Sequence, residues 1–167
     1  MKKLILSFVL IFTSCNELNQ VKRINNVLDS LHHLAEKADR EKYIRLFSNN
    51  AVFFGTDINE RWPINEFDLY VKSRFDTGVG WSYKKIDRNI FVSKNNKTAW
   101  FDEVVENKTY GKLRGTGVLV IENNEWKIAQ YNLLLPIPND YLKKYASEIK
   151  EFYEKNWILI KFLRWRA

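Results

Sequence analysis

Between Lys97 and Pro138 the chain repeats one pattern three times: alternating residues rich in β-branched and aromatic side chains, then a short polar turn. Thr98 to Glu106 ends in Asn107, Lys108, Thr109, Tyr110 and Gly111. Leu113 to Ile121 ends in Glu122, Asn123, Asn124 and Glu125, and Trp126 to Leu135 ends at Pro136. Period-two alternation closed by such turns predicts three strands joined by two hairpins, an antiparallel meander. The same period sorts side chains by face. In the first strand Trp100, Asp102 and Val104 oppose Ala99, Phe101, Glu103 and Val105. In the second, Arg114, Thr116, Val118 and Val120 oppose Gly115, Gly117, Leu119 and Ile121. In the third, Trp126, Ile128, Gln130, Asn132 and Leu134 oppose Ala129, Tyr131, Leu133 and Leu135. Both faces of the third strand are largely apolar, which predicts a central place in the sheet. Gln130 and Asn132, set among Trp126, Ile128 and Leu134, have the composition of a ligand-pocket wall. They can equally be core amides satisfied by backbone.

Upstream the period changes. Val21, Ile24, Val27, Leu28, Leu31, His32, Leu34, Ala35 and Ala38 recur at three- and four-residue steps and predict an amphipathic helix. Asp39 reads as the cap of a short second helix, Arg40 to Phe47. Ser48, Asn49 and Asn50 break that pattern. Ala51 to Gly55 predicts a short strand and Thr56 to Arg61 a polar loop. Pro63 opens a helix running to about Arg74, with Phe67, Leu69, Tyr70, Val71 and Phe75 as its buried stripe. Tyr83 to Ser93 predicts a longer strand leading into the meander. Beyond it, Leu142, Tyr145, Ala146, Ile149, Phe152, Tyr153 and Trp157 keep helical spacing, so Tyr141 to about Trp157 is a predicted helix with one apolar side. Two helices, a short strand, a helix and then four antiparallel strands make a segregated α+β pattern.

A chain of 167 residues suffices for one packed core. Its first fifteen residues differ in kind: Lys2 and Lys3 precede the apolar run Leu4 to Phe12, then Thr13, Ser14 and Cys15. The run is too short to span a bilayer and reads as a signal peptide. Its end resembles a bacterial lipobox, with Phe12 in place of the usual aliphatic residue. That resemblance implies cleavage before Cys15, a lipid on its sulfur and a place in the bacterial cell envelope; plain secretion to the periplasm or beyond is the alternative. Cys15 is the chain's single cysteine, so no intramolecular disulfide forms.

The net charge is +7, but seven basic and three acidic residues fall from Tyr141 onward. The basicity belongs to the tail, and nucleic acid is not an expected partner. Past Trp157, Ile158, Leu159, Ile160, Phe162, Leu163 and Trp165 alternate with Lys161, Arg164 and Arg166, a composition suited to a membrane interface. The alternative is that the tail packs on its own domain or on a second subunit. The expected segments are therefore 1–15, 21–140 and 141–167.

Several runs together resemble a known family. They are Phe53, Phe54, Gly55, Thr56, Asp57 with Glu60, Arg61, Trp62; Ala99 to Glu103; Arg114 to Leu119; and Trp126 to Leu133 with Pro136, Pro138 and Asn139. From Val21 to Asp140 the chain is similar to the SnoaL-like branch of the nuclear transport factor 2-like superfamily. The resemblance implies a cone: a curved antiparallel sheet with N-terminal helices enclosing a pocket, followed here by a C-terminal helix. It also implies homodimers formed through the sheet. The superfamily holds polyketide cyclases, a steroid isomerase, dehydratases, hydrolases and pockets without chemistry. The expectation for this chain is a small, mostly apolar ligand. The alternative is a cyclase-, isomerase- or hydratase-like enzyme using a pocket carboxylate as general base.

Asp102 and Glu103 are adjacent in a strand, so only one of them can enter a cavity. Asp102, sharing a face with Trp100, is the expected catalytic carboxylate; a hydrophobic pocket would raise its pKa and fit it for proton abstraction. Its other reading is a structural carboxylate paired with Arg114 or with a backbone N–H. His32 lies on the apolar side of the first helix and is the second catalytic candidate, while His33 is turned about 100° away. Trp100, Arg114, Gln130 and Asn132 are the expected ligand contacts. No spaced cluster of histidines and carboxylates suggests a metal, and no motif suggests a cofactor. Gly115 and Gly117 flank Thr116 within a strand, without the helix start a phosphate loop needs, and are expected to allow close packing.

Overall fold

The computed structural model describes the backbone of residues 2–164 and the side chains of residues 18–156. The side chains of Cys15 and of Ile158 to Arg166 lie outside the described residues. The elements are α1 (Lys2–Glu36), α2 (Arg40–Arg45), β1 (Phe47–Phe54), β2 (Arg61–Pro63), α3 (Ile64–Phe75), β3 (Lys84–Val92), β4 (Thr98–Asn107), β5 (Gly111–Glu122), β6 (Glu125–Leu134) and α4 (Asn139–Arg164). No helix among the described residues is long and apolar enough to cross a membrane. The chain divides into two compact units, Met1–Leu135 and Pro136–Ala167.

The first unit is a curved six-stranded sheet in the order β2-β1-β6-β5-β4-β3, with helices packed on its inner face. Strands β3 to β6 form the expected antiparallel meander, and β6 is central. Its other neighbour is β1, which runs parallel to it. The polar run Ser48 to Asn50 is not a break but the middle of β1, because Phe47 pairs with Ile128 and the register slips before Val52 pairs with Gln130. The expected second helix accordingly stops at Arg45. Asp39 does cap it, its carboxylate accepting the backbone N–H of Lys42 at 3.2 Å. Part of the expected loop before Pro63 is instead β2, paired antiparallel with the end of β1.

Ile24, Leu28, Leu31 and Ala35 of α1 are buried against the inward residues of the sheet: Ala99, Phe101, Val105, Leu113, Leu119, Ile128 and Leu133. On α3 the stripe narrows to Phe67, Val71 and Phe75, one per turn, and Leu69 is exposed. Burying a side chain such as Phe67 in full is worth roughly 1.5–3 kcal/mol, so this continuous inner face supplies much of the folding free energy.

One irregularity changes the expected faces. In β6, Gln130 pairs with Val118 and Ile128 with Leu119, leaving Ala129 without a partner on β5. An extra residue in one strand of a pair is a β-bulge, and it resets the alternation. Trp126 and Ile128 therefore face inward together with Tyr131 and Leu133, while Gln130 and Asn132 face outward. In the second unit, α4 carries Leu142, Tyr145, Ile149 and Phe152 at helical spacing along one side, with the Lys144 ammonium 5.3 Å from the centre of the Tyr145 ring.

Candidate functional site

Strand β4 puts Glu103, not Asp102, on the inner face, between the buried Phe101 and Val105. The Glu103 side chain is fully buried, and three elements converge on it. From α1, His32 Nε2 lies 2.9 Å from Oε1. From β6, the Tyr131 hydroxyl donates to the same oxygen at 2.8 Å. From β3, directly opposite Glu103 in the ladder, Arg88 Nε donates to Oε2 at 2.8 Å and its terminal nitrogen lies 2.7 Å from the same atom. The Arg88 side chain is itself only 2% exposed. Its other terminal nitrogen donates to Asp29 at 2.7 Å and to the Asn25 side chain at 3.1 Å, and Lys85 donates to Asp29 at 2.9 Å.

Backbone space is part of this arrangement. A Cβ on Gly115 would lie 2.5 Å from the Tyr131 hydroxyl oxygen and 2.9 Å from Glu103 Cγ, so the glycine admits the Tyr131–Glu103 hydrogen bond.

Burial alone would push the Glu103 carboxyl up. The hydrogen bond and positive potential of His32, the Arg88 guanidinium and the Tyr131 hydroxyl outweigh it and hold the group below the usual carboxylate range. Tyr131 moves the other way: burial, and then the neighbouring Glu103 charge, push its hydroxyl well up, so it remains a proton donor. Because Glu103 is an anion, the His32 nitrogen facing it, Nε2, is the donor. The other ring nitrogen is Nδ1. Among the described residues no group hydrogen-bonds it.

His32 and Tyr131 reach the wall of a cavity of about 600 Å³. Its lining mixes aromatic rings with polar groups such as Glu60, Arg74 and Asn107; Tyr131, Phe53, Phe67, Tyr70 and Trp81 belong to one set of near-parallel rings. Phe53 stacks on Phe67 with centroids 4.0 Å apart and planes 8° apart, and on Tyr131 at 5.5 Å and 10°; Tyr70 stacks on Trp81 at 5.8 Å and 19°. His32 and Tyr83 sit on the polar side, ring centroids 6.3 Å apart. Burial pushes the Tyr83 hydroxyl up as well.

A model of the SnoaL-like domain matches residues 24–138. The chain belongs to the SnoaL-like domain family. Solved structures agree on the fold. A protein from Novosphingobium aromaticivorans DSM 12444 described as a candidate scytalone dehydratase superposes with a TM-score of 0.62 and 16% identity, over 77% of this chain and 91% of that one. A candidate aromatic ring hydroxylase from the same genus and species gives 0.59 and 14%, over 72% and 92%. An NTF2-like protein of Pseudomonas putida KT2440 gives 0.60 and 8%, over 71% and 88%. At these identities the likeness is one of fold. No curated protein matches the chain in sequence.

Within the SnoaL-like domain the expected site residues separate. His32 lies at the cavity. Asp102 is on the opposite face of the sheet, accepting a hydrogen bond from the Asn89 amide at 3.0 Å rather than from Arg114. Trp100 is on that face too, 48% exposed and stacked on Phe91 at 5.8 Å, and Arg114 is exposed farther along it, opposite Val104 in the register. Gln130 and Asn132 join them there because of the bulge at Ala129. Trp100, Arg114, Gln130 and Asn132 thus line the outer surface, not the cavity. The residues that do meet at the site, Glu103, Arg88, Tyr131 and Tyr83, were not expected there. For Glu103 a signal existed: its face of β4 carries Ala99, Phe101 and Val105, the more apolar set. No group of three or more histidine, cysteine or carboxylate side chains suited to a metal occurs among the described residues.

Proposed function

We propose that this SnoaL-like protein binds a small, mostly apolar, ring-bearing molecule in the 600 Å³ cavity. The observation that carries this is the lining itself, near-parallel aromatic rings that include Tyr131 on one side and His32 and Tyr83 on the other. An apolar pocket with a few convergent polar groups is how small-molecule sites are built. Replacing Ala35, a small lining residue on α1, with Phe fills the cavity from the helix side. In a thermal-shift screen of neutral one- and two-ring arenes, wild type gains stability in proportion to RT ln(1 + [L]/Kd), about 2.7 kcal/mol at a hundredfold excess over Kd. Ala35→Phe abolishes the gain. Equal shifts in both proteins reject the cavity as the site.

The protein is further proposed to work at a bacterial membrane, in the cell envelope. Support comes from Lys2 and Lys3 ahead of the apolar run ending at Cys15, and from the basic, aromatic α4. One lipid chain holds a protein weakly and two attachments hold it stably. Labelled palmitate entering wild type but not Cys15→Ala tests the first attachment; salt-sensitive binding to anionic vesicles, lost on deleting Asn156 to Ala167, tests the second. A second copy is proposed to cover Phe91, Trp100 and Leu134 on the outer sheet face, and sedimentation of Trp100→Lys against wild type tests it.

A further inference from the structure

Tyr43 is the only buried residue of α2. Its ring packs against Phe47, Phe67, Phe75 and Trp81, with centroids 5.5, 6.2, 5.6 and 6.3 Å away. These four neighbours leave the residue only 3% exposed. Yet its hydroxyl makes no hydrogen bond to any described residue. Buried polar groups are nearly always paired, because a donor that loses water without gaining an acceptor is costly.

The unpaired hydroxyl faces the aromatic cavity. Tyr43 is part of the cavity wall. Among the described residues, the one sealed side-chain polar atom without a well-angled partner belongs to Arg88, so the Tyr43 oxygen is not sealed in. On a residue so deeply buried, the open space it meets is the cavity it borders. The surrounding charges place it the same way. Burial pushes the Tyr43 hydroxyl up, and the hydroxyls of Tyr83 and Tyr70 add to that. Tyr131, raised by burial and by Glu103, also feels Tyr43. Tyr83 precedes β3, Tyr70 is on α3 and Tyr131 on β6, and all three line the cavity. The Tyr43 oxygen therefore lies among them. Solvent reaches Tyr70 and Tyr83, and Tyr131 donates to Glu103. Tyr43 alone is a buried donor with nothing to donate to.

We propose that Tyr43 sets the ligand specificity of the cavity, its hydroxyl donating to a neutral hydrogen-bond acceptor on the buried end of the ring-bearing ligand. This rests on the cavity being a ligand site. The acceptor is a ring nitrogen or an ether, ester or ketone oxygen. A hydrocarbon of the same shape fills the space but strips water from the hydroxyl and leaves it bare. Neutrality follows from the charges in the wall. Glu60 lines the cavity, and Glu103 lies behind His32 and Tyr131. Arg88 already matches Glu103. At Tyr70, which burial raises first, the charge of Glu60 outweighs that of Arg74. An anionic ligand would meet that excess of negative charge.

Quinoline and naphthalene form a matched pair that tests the proposal. Both are planar, two-ringed and neutral at neutral pH, and they differ by one ring nitrogen that accepts a hydrogen bond and has no proton to donate. Titration calorimetry compares full-length wild type with Tyr43→Phe, which keeps the ring and its four aromatic neighbours. Quinoline is expected to bind the variant about tenfold more weakly, while naphthalene binds it as well as wild type or better. The anion 2-naphthoate is expected to bind wild type more weakly than quinoline. Without ligand, Tyr43→Phe is expected to unfold at the same urea concentration as wild type or a higher one, because the hydroxyl has no protein partner to lose.

Quinoline held equally by wild type and Tyr43→Phe overturns the proposal and leaves the cavity standing as a site. A clearly lowered urea midpoint in Tyr43→Phe also overturns it, since the hydroxyl would then have a partner within the protein. Tighter binding of 2-naphthoate than of quinoline overturns the neutral class. If neither two-ring probe binds wild type, or if Ala35→Phe binds both unchanged, the cavity reading itself fails and the specificity of Tyr43 fails with it.

Discussion

Removing the charge of Glu103 while keeping its shape, by Glu103→Gln, isolates what the buried ion pair does for the fold. In wild type the Glu103 side chain is 0% and that of Arg88 2% exposed, so both charges are cut off from water and depend on each other. Taking away one partner of a buried pair costs about 3–5 kcal/mol, most of it the penalty of leaving the other charge unmatched. Two features put this case at the lower end. The glutamine oxygen still accepts from His32 and Tyr131, and Arg88 keeps Asp29, which is half exposed, as a second anion. A loss of about 3 kcal/mol follows, or a fall in Tm of roughly 10 °C for a unit of this size. Urea unfolding followed by tryptophan fluorescence measures it at neutral pH.

The pH dependence is a second handle on the same substitution. Glu103 has a lowered pKa when folded, so its contribution is complete above the unfolded-state value of about 4.3. It disappears as pH falls through the folded value. Wild type therefore loses stability on acidification below about pH 5, and Glu103→Gln loses less over the same range. The orphaned-charge argument makes one more demand. Glu103→Leu combined with Arg88→Met must be more stable than Glu103→Leu alone, since the double variant leaves no unpaired guanidinium. A double variant as unstable as the single one, or a Glu103→Gln cost below about 1 kcal/mol, refutes the reasoning.

Gly115→Ala is expected to destabilise by about 1–3 kcal/mol and to break the Tyr131–Glu103 hydrogen bond, because its methyl would lie 2.5 Å from the Tyr131 oxygen; the same denaturation assay checks it. Asp102→Asn, on the outer face, is expected to change stability by less than about 0.5 kcal/mol and to leave arene affinity in the thermal-shift assay unaltered. Asp39→Ala removes the acceptor for the Lys42 N–H and is expected to cost about 1 kcal/mol in urea titration, without changing arene affinity.

Local chemistry made much of the fold legible in advance. The turns after Glu106 and Ile121 end strands because polar, Asn- and Gly-rich segments favour tight turns, and the structure closes hairpins there. Asp39 caps α2 for a reason contained in its own side chain and the next three residues. The apolar spacing of Ile24, Leu28, Leu31 and Ala35 was enough to bury that side of α1, and with it to bring His32 to the interior. Each of these depends on neighbours within a few positions along the chain.

The site itself depended on partners far away in sequence. Asp102 and Glu103 are equivalent to any local rule. The inner place went to Glu103 because Arg88, fifteen residues earlier, and His32, seventy-one residues earlier, stand where its charge is met. The faces of β6 were legible up to Ile128 and inverted beyond it, since a bulge is set by how β5 and β1 pair with β6 on either side and not by the composition of Ala129. For the same reason the parallel pairing of β1 through its polar middle could not be read from its residues. Periodicity determined which elements form and which side of each is apolar; only the packing of α1, β3 and β6 around β4 decided which carboxylate could be buried, because a buried charge is stable only where its partners are delivered to it.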